Sequence, residues 1–189
     1  MPAVPASRYC AFFAIALLGC AADLATKSWI FAEMGLPSGA VWWLWEGVVG
    51  FQTSLNEGAL FGIGQGWVAL FATLSVAAAA GILAWLFYGG AAHDRLLLVA
   101  LGCVTAGILG NLYDRLGLHG LTWPAGHPAQ GEPIYAVRDW ILVMIGTWPW
   151  PTFNIADSLL VCGAGLLIWH AFRHDLAPRP PDAAPERRG

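Results

Sequence analysis

Four stretches of this chain are apolar for long enough to cross a bilayer, a distance that takes roughly 20 residues of helix. They cover about residues 9–32, 67–88, 96–113 and 153–172. The second, Trp67 to Tyr88, carries no charge and has an aromatic at each end. The third is rich in Gly and Ala, which lets membrane helices pack closely. Between the first two spans, Val48 to Leu55 has β-type residues and runs into the turn signal Asn56-Glu57-Gly58. The cluster Val41-Trp42-Trp43-Leu44-Trp45 suits a membrane–water interface. The pattern therefore predicts four transmembrane helices and a small strand region, drawn from residues 33–66, on the bilayer surface. Residues 116–138 read as a Pro- and Gly-rich loop, and Trp148-Pro149-Trp150-Pro151 as a helix breaker before the last span. The tail, about 174–189, reads as disordered.

Composition supports this all-α polytopic membrane class. Of 189 residues, 58% are hydrophobic and 11% charged, where a soluble domain carries about 25% charged residues. The length suits a single domain, here one integral membrane unit over 1–189. A net charge of −3 with no basic stripe argues against nucleic acid as a partner. The cysteines, Cys10, Cys20, Cys103 and Cys162, lie in or beside apolar runs without metal-type spacing. Arg8, Arg95, Arg173, Arg179, Arg187 and Arg188 fall on one side of the predicted spans, against Arg115 and Arg138 on the other. That asymmetry puts both termini in the cytoplasm and the two longer loops outside. Arg8 with Leu17-Leu18-Gly19-Cys20 also has the look of a lipoprotein signal peptide. The resumption of apolar sequence after Cys20 and three further spans weigh against that reading.

Charge changes the picture most where it interrupts the spans. An ionisable group at membrane depth costs roughly 2.5–3.5 kcal/mol on insertion scales and marks a functional candidate. Asp157 opens the fourth span, inside Phe153-Asn154-Ile155-Ala156-Asp157-Ser158. Counting about 1.5 Å per residue from the cytoplasmic arginines puts Asp23, Asp114 and Asp157 near the outer interface, on three different helices. Asn56, Asn111 and Asn154 are close to them in sequence, and Asp139 can fold back to the same level. Asp23 and Lys27, at i and i+4, can pair. Asp114, beside Arg115, reads as a satisfied structural acid. Two carboxylates held close cannot both ionise easily, so one is poised as acid and the other as base around a water. That chemistry cleaves a peptide bond without metal or covalent intermediate. No Gly-x-Ser-x-Gly or His-Glu-x-x-His occurs, and a zinc site built on His119 and His127 lacks further clustered ligands. A binder that does not cut, with its carboxylates far apart or occupied by cations, is the alternative. A proton-relay transporter would need a second polar layer, which the four spans do not offer.

Five blocks carry a resemblance. Asp23-Leu24-Ala25-Thr26-Lys27, Asn56-Glu57-Gly58-Ala59-Leu60-Phe61-Gly62, Gly110-Asn111-Leu112-Tyr113-Asp114-Arg115, Val137-Arg138-Asp139-Trp140 and Phe153 to Ser158 resemble, in order, the bacterial lipoprotein signal peptidases, or signal peptidase II. The resemblance implies an aspartic endopeptidase of the bacterial inner membrane with a periplasmic β-cradle and no cofactor or metal. Its substrates would be prolipoproteins cut just before a diacylglyceryl-modified cysteine, near the periplasmic interface and in contact with membrane lipid. It casts Asp139 and Asp157 as the catalytic pair. It casts Asp23, Lys27, Asn56, Gly58, Asn111, Asp114, Arg115 and Asn154 as supporting residues. A monomer is expected. Two departures stand out: Trp140 where Phe is usual, and the 23 residues Leu116 to Arg138 where the family gap is short. The insertion leaves Asp114 as the alternative partner for Asp157, and is read as a surface loop in preference to a lid.

Overall fold

The structure is a computed structural model that describes residues 3–58, 64 and 66–175. Residues 59–62 of the second block, and the tail with Arg179, Arg187 and Arg188, lie outside the described residues.

Four helices long and apolar enough to cross a membrane appear where the hydropathy pattern puts them. Helix α1 is Ala6–Met34 and continues unbroken through Cys20. Helix α2 is Val68–Leu83, extended by a π-helical turn at Ala84–Tyr88. Helices α3 (Arg95–Arg115) and α4 (Ile155–Asp175) complete the set. Helix α3 is central and packs against each of the other three. Small residues make this possible. A Cβ at Gly19 would press on Ala106 and Leu159, one at Gly107 on the Ala156 carbonyl, and one at Gly163 on Val104 and the Ala100 carbonyl. Helix α2 has no buried residue, and its outward Leu74 and Val76 suit contact with lipid. At the far end from the sheet, Asp94 caps α3 through Leu96 N and Leu97 N, and also meets His170 Nε2 of α4 at 3.1 Å.

The strand region is larger than expected. Strands β1 (Trp42–Trp45), β2 (Val49–Asn56), β3 (Val137–Ile145) and β4 (Trp148–Phe153) form one antiparallel sheet in that order. Residues 33–66 supply only half of it. The Trp-Pro repeat read as a helix breaker is β4, an edge strand, where missing N–H groups break no ladder. Ile145 pairs with Trp148 across a two-residue turn, and Gly146 takes φ +64° there. Exposed Trp42, Trp45 and Trp148 stand out from the sheet.

The insertion folds back on itself. Thr122 bridges to Pro133, Trp123 N donates to the Glu132 carbonyl, and Ile134 N to the Leu121 carbonyl. Ile134 and Ala136 are buried at its base, while 124–128 are exposed at its tip. His119 Nδ1 accepts from Leu121 N and His127 Nδ1 from Ala129 N, so both histidines serve turns of their own loop.

Candidate active site

The Asn154–Asp157 segment builds its own geometry. Asn154 stands at the N-cap of α4, and its Oδ1 accepts from Asp157 N at 2.9 Å. Asp157, at the third helical position, accepts in return from Asn154 N at 3.2 Å through Oδ2. This is a capping box with an aspartate in the usual Glu position, and it fixes the Asp157 carboxylate at the helix N-terminus. A third free N–H of that turn, on Ala156, donates to Asp23 Oδ1 at 2.9 Å. Asp23 reaches it because Gly110 has no side chain; a Cβ there would collide with the carboxylate.

Asp139 comes to the same place along β3, where it pairs with Ser54 of β2. It is 2% exposed. Asn154 Nδ2 donates to its Oδ1 at 2.6 Å and Asn56 Nδ2 to its Oδ2 at 3.3 Å. One asparagine thus touches both aspartates. Asn111 Nδ2 donates to Asp157 Oδ1 at 2.8 Å. Among the described residues neither Asp139 nor Asp157 forms an ion pair. Burial, with the neighbouring Asp157 charge added, pushes the Asp139 carboxyl up to about 7, against the opposing pull of the Asn154 hydrogen bond.

The other acids are treated differently. Lys27 Nζ lies 2.7 Å from Asp23 and 3.2 Å from Asp114, and donates to Asn111 Oδ1 at 3.0 Å. Asp114 also holds Arg138, at 2.8 Å to Nη2 and 3.0 Å to Nε, and accepts from Arg138 N. Asp23, Lys27 and Asp114 are fully buried. Asp114 is therefore satisfied, as expected, but by Lys27 and Arg138 and not by its neighbour Arg115. Arg115 turns away to donate to the Gly58 carbonyl at 3.0 Å and lies over the Phe71 ring. Gly58 N in turn donates to Asn56 Oδ1, closing the turn that aims Asn56 at Asp139.

All ten residues singled out in the sequence thus join one network. Asp139, Asp157, Asn56, Asn111 and Arg115 line a cavity of about 680 Å³, which Asp114 does not reach. Residues 116–136 contribute nothing to its wall. Sequence reasoning missed the β4 side, Trp150 to Phe153, and Ser75 of α2. It also missed Arg138 as the partner of Asp114, a pairing across 24 positions that adjacency to Asp139 concealed. The Asn-x-x-Asp spacing was a readable signal for the capping box.

Comparison with known proteins identifies the family and the fold. The family model described as signal peptidase (SPase) II matches residues 15–173. A lipoprotein signal peptidase of Rhodopirellula baltica is 50% identical over 178 residues, 93% of this chain and 78% of that protein. One from Methylorubrum extorquens is 34% identical over 174 residues, 88% of each chain. Two solved structures of a bacterial membrane enzyme obtained by the in meso method share the fold. One has a TM-score of 0.73 at 24% identity, covering 91% of this chain and 93% of that one. The other has a TM-score of 0.67 at 25% identity, covering 86% and 92%. The chain is a multi-pass membrane protease of the signal peptidase II family, whose members cleave signal peptides from prolipoproteins.

Proposed function

We propose that this protein is an aspartic endopeptidase that removes the signal peptide of a prolipoprotein by cutting just before a diacylglyceryl-modified cysteine. The observation that carries the reading is the Asn154 bridge. Two carboxylates that form no ion pair among the described residues share one asparagine, and Asp139 is raised to about 7. Such a pair keeps one proton near neutral pH.

Asp157 accepts two N–H donors at a helix N-terminus and acts as the base. It takes a proton from water as the oxygen attacks the scissile carbonyl carbon, while Asp139 gives its proton to the carbonyl oxygen. The gem-diol collapses when Asp157 protonates the departing amine nitrogen of the cysteine and Asp139 recovers a proton from one hydroxyl. The C–N bond breaks, and both carboxyls return to their starting state. No metal or cofactor enters these steps.

The cavity suits such a substrate. Its polar end meets the sheet, and its walls run down past Ile108 of α3 and Leu160 and Val161 of α4. A signal helix and acyl chains can stay in the bilayer while the scissile bond meets water. Acyl burial adds affinity, at roughly 0.8 kcal/mol per CH₂. The basic-residue asymmetry supports a sheet and site on the periplasmic side of the inner membrane, with both termini in the cytoplasm. The test is cleavage by the purified protein of a precursor with and without the diacylglyceryl group. Cutting before the cysteine of the lipidated form alone is expected. Absence of cutting, or equal cutting of both forms, would sink the reading.

A further inference from the structure

Helix α2 has two polar side chains, Thr73 and Ser75, along its Val68–Leu83 length. In a membrane helix a hydroxyl ordinarily returns its hydrogen bond to the carbonyl four residues earlier. Thr73 does this to Ala69 O at 2.8 Å, as Thr105 of α3 does to Leu101 O at 2.8 Å. Ser75 does not. Among the described residues its hydroxyl has no hydrogen-bond partner, yet it lines the cavity that holds Asp139 and Asp157.

Its level in the cavity is informative. Ser75 is seven residues into α2, about 10 Å from the helix start. Gly107 and Ile108 lie at a similar distance from the Arg115 end of α3, and Leu160 and Val161 at a similar distance from the start of α4. Among the described residues the wall at this level is otherwise apolar, one to two turns below the aspartates. A polar group facing an apolar space is costly unless what fills the space offers a partner.

We infer that Ser75 is a substrate-binding residue whose O–H donates to a carbonyl oxygen of the bound lipopeptide, below the scissile bond. The inference rests on the proposed peptidase activity and adds a contact to it. Two carbonyl sources reach this level: the acyl esters of the diacylglyceryl group and the backbone of the signal segment. Both present a carbonyl acceptor, and neither requires Ser75 to join the chemistry. Such a contact exists in ground and transition states alike, so its loss acts on KM and leaves kcat alone.

The test measures kcat and KM for wild type, Ser75→Ala and Ser75→Thr on two synthetic lipopeptides. One carries ester-linked chains and the other ether-linked chains, which lack the carbonyl. Ser75→Ala is expected to raise KM about three- to tenfold with kcat unchanged, and Ser75→Thr to stay near wild type. A rise confined to the ester substrate identifies the acyl ester as the partner, and an equal rise on both identifies the peptide backbone. Wild-type KM in Ser75→Ala on both substrates overturns the inference while leaving the peptidase reading intact. Failure of the wild type to cut either lipopeptide removes both.

Discussion

Four acids lie within one network, Asp23, Asp114 and Asp139 buried and Asp157 half-buried, and the protein treats them in two ways. Asp23 and Asp114 are held by cations, Lys27 and Arg138, in a neutral cluster of two acids and two bases. Asp139 and Asp157 are held by the amides of Asn154, Asn111 and Asn56. A cation within hydrogen-bond reach fixes a carboxylate in a charge-assisted pair. An amide orients a carboxylate while leaving its proton free to move. The first arrangement pins α1, α3 and β3 together, and the second produces a pair able to exchange protons with a substrate. Asn111 joins them, accepting from Lys27 and donating to Asp157.

The contrast breaks most visibly at the amide-held pair. Asp157→Asn and Asp139→Asn, each assayed on a lipidated precursor, are expected to lose about 10²- to 10⁴-fold in kcat while the protein still folds. Asp139→Asn carries a second expectation. A carboxyl raised from its usual range near 3.9 to about 7 binds its proton more tightly in the folded state. Its contribution is therefore most favourable at low pH and is lost as pH rises toward 7. The inactive Asp139→Asn protein should melt at a higher temperature than wild type at pH 8 and at the same temperature near pH 4. A lower melting temperature at pH 8 would contradict the assignment.

At the cation-held cluster the sign reverses. Lys27→Met leaves Asp23 and Asp114 short of a partner in a fully buried site, a loss of about 3–5 kcal/mol. Thermal unfolding and yield should fall together with activity. Should Lys27→Met lose activity with an unchanged melting temperature, Lys27 would belong to the reactive pair and not to the scaffold.

Much of this was legible before any fold. Four spans follow from long apolar runs, because a bilayer requires every backbone group to be satisfied within a helix. Depth counting brought Asp23, Asp114 and Asp157 to one level because helix rise is constant. Strands β3 and β4 were not legible for a physical reason. Two prolines in six residues argue against a helix and against a central strand, and only the sheet order shows that β4 is an edge. The Asp114–Arg138 pair was hidden likewise. Neighbours in sequence, Arg115 and Asp139, offered plausible partners, but alternation along β3 sends Arg138 and Asp139 to opposite faces.

The smallest expected effects distinguish the asparagines. Because the pair needs one proton, activity should fall as pH rises through about 7, when Asp139 ionises beside Asp157. Hydrogen bonds donated to the Asp139 carboxylate favour its charged form, so removing a donor moves this descending limb to higher pH. Asn154→Ala removes the 2.6 Å bond and also the α4 cap. The limb should move up clearly, with about 1 kcal/mol of stability lost. Asn56→Ala removes the longer 3.3 Å bond and the Gly58 turn contact, so its limb should move in the same direction but less. A pH–rate profile of each variant gives the order. A limb that moved down in either would mean that the asparagine supports the protonated form of Asp139, and would reassign the acid and base of the pair.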